Sequence, residues 1–74
     1  MSRVKEAARL EYSRICHMNP DVETVRREYR IADAKYREAV SEGNGTPESG
    51  AMIAQHVGAR EAWAKYAQEK GIEL

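Results

Sequence analysis

Between Pro20 and Glu42 the chain reads PDVETVRREYRIADAKYREAVSE, its longest unbroken helical pattern. Val22, Val25, Tyr29, Ala32, Tyr36 and Ala39 recur there in alternating steps of three and four, the seam of a helix that packs lengthwise against another helix. This spacing predicts an all-α fold with residues 20–42 as its spine. Ile31 points away from the seam, so its burial calls for a further layer or a second chain.

The flanking residues cut the rest into two more helices. Proline disfavours helix in the residue before it and cannot continue the hydrogen-bond ladder, so Met18, Asn19 and Pro20 end a first helix over about 2–17. Asn19 is then the expected N-cap of the second helix, with Pro20 in its first turn and Asp21 and Glu23 at the positive end of its dipole. In the first helix Val4, Ala8, Tyr12 and Ile15 share a stripe, with Cys16 at its edge and Glu11 inside it. Glu11 is expected at the rim or paired with an arginine of another helix. Leu10 projects from the other side, between Arg3 and Arg14, as a surface leucine or a contact for a partner chain.

Gly43 to Gly50, GNGTPESG, reads as a loop that leads into a third helix over about 47–70. Thr46 and Pro47 have the form of a cap followed by a first-turn proline, although Gly50 leaves a start at Ala51 open. Met52, His56, Ala59, Trp63, Tyr66 and Ala67 form one face of this helix. Ile53, Val57 and Ala64 lie beside it, an apolar width that predicts contact with two neighbours. Gly58 falls on the polar side of this helix, where a close backbone approach would account for it. Lys70 and Gly71 make a basic last turn and a stop. The short connection implies that helices two and three form a long antiparallel hairpin, with the shorter first helix packed across it.

A chain of 74 residues holds one domain, taken as 1–74. Phenylalanine is absent and leucine occurs only at Leu10 and Leu74, so the core is small and a homodimer or higher oligomer, with coiled-coil-like packing, is expected. Twelve basic residues balance twelve acidic ones, which gives no net field for nucleic acid or an anionic membrane. No stretch is apolar enough for a signal sequence or a bilayer span. Cys16, the single cysteine, excludes an intrachain disulfide and fits a reducing, cytoplasmic compartment.

No catalytic constellation is assembled. Cys16, His17 and His56 are the soft metal ligands, and their spacing matches no zinc pattern; Cys16 reads as a small packed thiol and His56 as a core-edge histidine. The glycines of the loop lack a preceding strand and a GK[ST] sequence, so no phosphate loop is expected and no cofactor is implied. The expected function is therefore non-enzymatic. It is that of a small regulatory or inhibitory protein of the kind found among phage or plasmid accessory factors, binding itself and another protein. The candidate surface is the row Arg26, Arg30 and Arg37 on the second helix, interrupted by Asp33, with Leu10 and Tyr12 as apolar anchors. An alternative is binding of a small anionic ligand such as a nucleotide at an oligomer interface, arginines on phosphate and tyrosines on the base. Nucleic-acid binding by a dimer ranks below both, since the charge is balanced.

Overall fold

A computed structural model describes residues 3–42 and 47–74, with side chains placed for 3–41 and 52–74. They form α1 (Arg3–Met18), α2 (Val22–Glu42) and α3 (Pro47–Lys70), and the described residues contain no strand. The expected ranges hold to within two residues, and α3 begins at Pro47 and runs through Gly50. The cap expected at Thr46 lies outside the described residues.

The centre of the fold is α3, not α2. Both α1 and α2 pack on α3 and make no close backbone approach to each other, so α1 does not cross the other two as expected. The wide apolar surface of α3 is the reason, since it offers a flank to each neighbour. Ala7 and Ala8 of α1 lie against Gly58, and Tyr12 reaches Glu69. On the other flank Asp33 of α2 meets Arg60, and Arg26 reaches Glu73 just beyond the helix. The backbone measures 36 × 24 × 16 Å, with α3 in contact with both other helices.

Ile15 from α1 and Val25 from α2 converge on Ala62, Trp63, Tyr66 and Ala67, with Tyr12, Tyr29 and Ile72 packed around them. Trp63, Ile15 and Val25 are the largest fully buried side chains. Burial of a Val or Ile side chain is worth about 1.5–3 kcal/mol, so this cluster next to the α1–α2 turn is the main anchor of the fold. Ala32 is also buried, as its seam position requires, but Val22 at the start of the seam is exposed because α2 begins there. Ile31 is 39% exposed, and no third layer covers it among the described residues.

The turn between α1 and α2 departs from expectation. Asn19 does not cap α2; it ends α1, with φ of 48° and its N–H donated to the Ile15 carbonyl at 2.9 Å. Asparagine tolerates that left-handed backbone better than most residues. Pro20 then falls outside both helices, and Asp21 is the cap. The Thr24 N–H donates to Asp21 Oδ1 at 2.9 Å, while the Asp21 carbonyl accepts from Val25 N at 3.0 Å. Two candidate cap residues stood two places apart, and the stop of α1 took the first.

Gly58 is buried, and a Cβ built on it would stand 2.6 Å from Ala7 Cβ and 2.8 Å from Ala8 N. The close approach that would account for this glycine is therefore present, on the flank of α3 that α1 covers. Gly71 has φ of 70° and closes α3: Ile72 N donates to the Ala67 carbonyl at 2.8 Å and Gly71 N to that of Gln68 at 3.3 Å. This paired pattern turns the chain back, and Ile72 packs on the core.

Two tests follow from these contacts. Alanine favours helix over glycine by about 1 kcal/mol, yet Gly58→Ala is expected to destabilise the protein by about 1–3 kcal/mol, because the methyl has nowhere to go. Urea unfolding followed by the fluorescence of Trp63, the single tryptophan, measures this; a gain in stability would contradict the crossing. At the turn, hydrogen bonds from the Thr24 hydroxyl and N–H hold the Asp21 carboxyl below its ordinary value of 3.8. A depressed folded pKa contributes stability above the ordinary carboxylate range, and that contribution is lost as pH falls through the folded value. Asp21→Ala is accordingly expected to lower the melting temperature at neutral pH, with the gap to wild type closing below about pH 4.

Candidate functional site

Of the arginine row on α2, two members are engaged within the chain. Arg26 Nε donates to the Glu73 carbonyl at 2.8 Å, and Arg37 Nε lies 3.1 Å from Asp33 Oδ2, four residues back on the same helix. Arg30 is exposed on the same flank. Both engaged arginines remain open to solvent, and pairs of this kind are weak, about 0–1 kcal/mol.

Asp33 is more than an interruption of the row. Its other oxygen accepts from Arg60 Nη1 at 3.0 Å, and the Arg60 guanidinium lies over the Tyr36 ring, 4.3 Å from the centroid. Arg60 was not foreseen, although a signal existed. The stripe Ile53, Val57, Ala64 skips position 60, and a guanidinium on a packed flank needs an acid opposite. Half-buried, it ties α2 to α3 through one planar group that pairs and stacks at once.

Tyr12 faces α3. Its hydroxyl donates to Glu69 Oε1, and Lys65 Nζ stands 4.6 Å from the ring centroid. Hydrogen bonding to Glu69, then to Cys16, pushes the Tyr12 pKa well above its ordinary value. Lys70 likewise lies over the Tyr66 ring. The faces of three of the four tyrosines are thus shared with cations of the same chain. Cys16 is exposed rather than packed, because the α1 face that meets α3 is centred on Ile15. His17 Nδ1 donates to the Ser13 carbonyl at 3.0 Å. His56 is half-buried, as a core-edge residue would be.

Leu10 is 60% exposed and stands on the wall of a groove of about 700 Å³ between α1 and α3. Ala7, Ala54 and Ala59 give the groove small apolar lining, and Gln55 adds an amide. Its rim is charged: Arg3, Arg9 and Arg14 alternate with Glu6 and Glu11. Arg9 Nη2 lies 2.8 Å from Glu6 Oε1, and Arg14 Nε 2.5 Å from Glu11 Oε1. Glu11 therefore finds its arginine three residues along its own helix rather than on a neighbour, and the contact pushes the Arg14 pKa up. A smaller recess of about 400 Å³ lies on the other side of α1, beside Tyr12 and Lys65.

Comparison with protein-family models, curated proteins and solved structures returns no match. The reading of this chain therefore rests on its own chemistry. Among the described residues no three His, Cys, Asp or Glu side chains are grouped to hold a metal ion. No described helix is long and apolar enough to cross a membrane. What the groove offers is shape and charge: a shallow apolar channel, one protruding leucine, and guanidinium forks suited to carboxylates.

Tyr12 yields the test of this region. A phenol whose folded pKa is raised contributes stability in full below its unfolded value, and the contribution disappears as pH climbs through the folded one. Absorbance titration at 295 nm is expected to contain a tyrosine component ionising well above 10.0, absent in Tyr12→Phe and displaced toward the ordinary value in Glu69→Ala. A wild-type titration with no such late component would disprove the Tyr12–Glu69 bond.

Proposed function

We propose that this chain is a non-enzymatic regulatory or inhibitory protein that acts by docking on a partner protein through the groove between α1 and α3. The carrying observation is the coincidence of an exposed leucine, a channel of alanines and three rim arginines in one place. Interfaces draw their energy from a few buried apolar and arginine anchors, and here both kinds stand together. Arginine forks favour a partner with carboxylates, and a channel of this width between helices suits an amphipathic helix with an acidic flank. The α2 row of Arg26, Arg30 and Arg37 supports the same reading less strongly, since Arg26 is tied to the tail and Arg37 to an aspartate that also holds Arg60 of α3, whereas Arg9 and Arg14 pair only within α1. A nucleotide in place of a protein has less support, because the rings that would stack on a base are occupied by cations.

The finer architecture belongs to this reading. We take α2 and α3 as a long antiparallel hairpin, an order that agrees with the pairs Arg26–Glu73 and Asp33–Arg60. The protein works as an oligomer in the cytoplasm. A core with no phenylalanine, and with leucine only at Leu10 and Leu74, supports association.

A phage-displayed library of amphipathic helices, panned against the immobilised full chain, tests the docking surface. Recovered helices are expected to carry acidic residues beside an apolar face and to bind Leu10→Asp at least tenfold more weakly. Leu10 lies outside the core, so this substitution leaves the fold intact by circular dichroism. Helices that bind Leu10→Asp as well as wild type, but lose affinity for Arg26→Glu/Arg30→Glu/Arg37→Glu, would move the site to α2. Recovery of no helix at all would end the proposal.

A further inference from the structure

The groove wall on α1 has a symmetry of its own. Arg3, Glu6, Leu10 and Arg14 all line the groove, and with His17 they recur in steps of three and four. They form a second seam on α1, turned away from the face that carries Ile15 into the core. Leu10 is the centre of that seam. When it is laid antiparallel on a copy of itself with Leu10 against Leu10, positions whose numbers sum to twenty face each other. Glu6 then faces Arg14 of the second copy, and Arg14 faces the second copy's Glu6. Arg3 falls opposite His17, whose Nδ1 donates to the Ser13 carbonyl. At the two pairs that flank Leu10, opposite charges meet.

We propose that two copies of this chain pair through α1 about a two-fold axis at Leu10, and that this pairing closes the groove to other partners. The inference rests on the docking reading and adds its regulation: the free protein hides its own site. The interface is isologous, so each favourable pair occurs twice. Today's partners of the two charged residues are cheap to give up. Glu6 is paired with Arg9 and Arg14 with Glu11, both as exposed i,i+3 contacts along one helix. Exchange of these for cross-chain pairs over a buried Leu10 couples charge matching to apolar burial, while Ala7, Ala54 and Ala59 leave room for the second leucine.

Sedimentation velocity on the full chain up to about 200 µM, a range that detects weak dimers, tests the pairing. Wild type is expected to dimerise, and Glu6→Arg and Arg14→Glu each to weaken the dimer at least tenfold. An equimolar mixture of the two single variants should recover wild-type affinity as a heterodimer, because one chain then carries arginine at both positions and the other glutamate. The double variant Glu6→Arg/Arg14→Glu should recover it as well. In that double variant position 6 repels Arg9 and position 14 repels Glu11 within the chain, so recovery can come only from contacts between chains.

A wild type that stays monomeric, single variants that associate as wild type does, or a mixture without recovery each overturn the pairing. Helix panning separates this from failure of the docking reading. A monomeric wild type that still selects acidic helices through Leu10 loses only the self-pairing, and one that selects none loses both. Where the pairing holds, a selected helix should compete with it and shift wild type toward monomer; a ternary complex of dimer and helix would overturn the closure.

Discussion

The crossing of α1 on α3 at Gly58 is the constraint on which the rest of this small fold depends. Because α1 makes no close approach to α2, its attachment runs through α3. The absence of a side chain at Gly58, met by the short side chains of Ala7 and Ala8, lets the two backbones approach at that point. Dispersion contacts fall off steeply with separation, so a wider crossing would loosen what lies further along α1. Ile15 would lift from Trp63 and Tyr66, and the Tyr12 hydroxyl would lose Glu69. A glycine that costs helix propensity is retained where the tertiary contact outweighs it.

The second attachment, α2 to α3, is built on a different principle. Its seam is buried at Val25 and Ala32, exposed at Val22 and half-buried at Tyr29, Tyr36 and Ala39, and polar ties complete it. Asp33 stands between Arg60 and Arg37, Arg60 covers Tyr36, and Arg26 closes on the carbonyl of Glu73. That last contact depends on the stop at Gly71, whose left-handed backbone turns Ile72 onto the core and carries Glu73 to where Arg26 can reach it. The described polar contacts that α2 makes to another helix therefore end on α3 or its tail. The hub position of α3 follows from both attachments: Gly58 on the flank that α1 covers, Arg60 on the flank of α2, and Trp63 where Ile15 and Val25 converge.

The helices were legible because their punctuation is local. Proline at position 20, the glycines around 43–50 and Gly71 each act within a few residues, and the apolar periods between them are regular. The hub was not legible from the longest seam. Periodicity gives the direction of a face and not the identity of what covers it, and the Gly58 crossing depends on Ala7 and Ala8, about fifty positions away. The cap at Asp21 was missed for a local reason: Asn19 and Asp21 both suit a cap, and the choice turned on the left-handed stop of α1. Of the proposed surface residues, Leu10 and Arg30 stand exposed as read. Arg26, Arg37 and Tyr12 were visible as residue types, but their intrachain partners Glu73, Asp33 and Glu69 come from the packing, and only the Asp33–Arg37 pair lay within helical reach.

These two modes of attachment also decide which surface remains available. A charged residue already held by its own chain must give up that contact before it serves a partner, which weakens it as an anchor. The α2 flank is in that condition, with Arg26 tied to the tail and Arg37 to an aspartate that also serves Arg60. The pairs on α1 differ, because Glu6–Arg9 and Glu11–Arg14 join residues of one helix and hold no second element in place. Breaking them costs about 0–1 kcal/mol each and releases no second element. Leu10, between them, keeps most of its surface in solvent and stands ready to gain from contact. A chain that fixes one seam of α1 to its hub with alanine and isoleucine, and leaves the other seam charged, paired only locally and centred on a leucine, has separated the residues that build it from those free to bind.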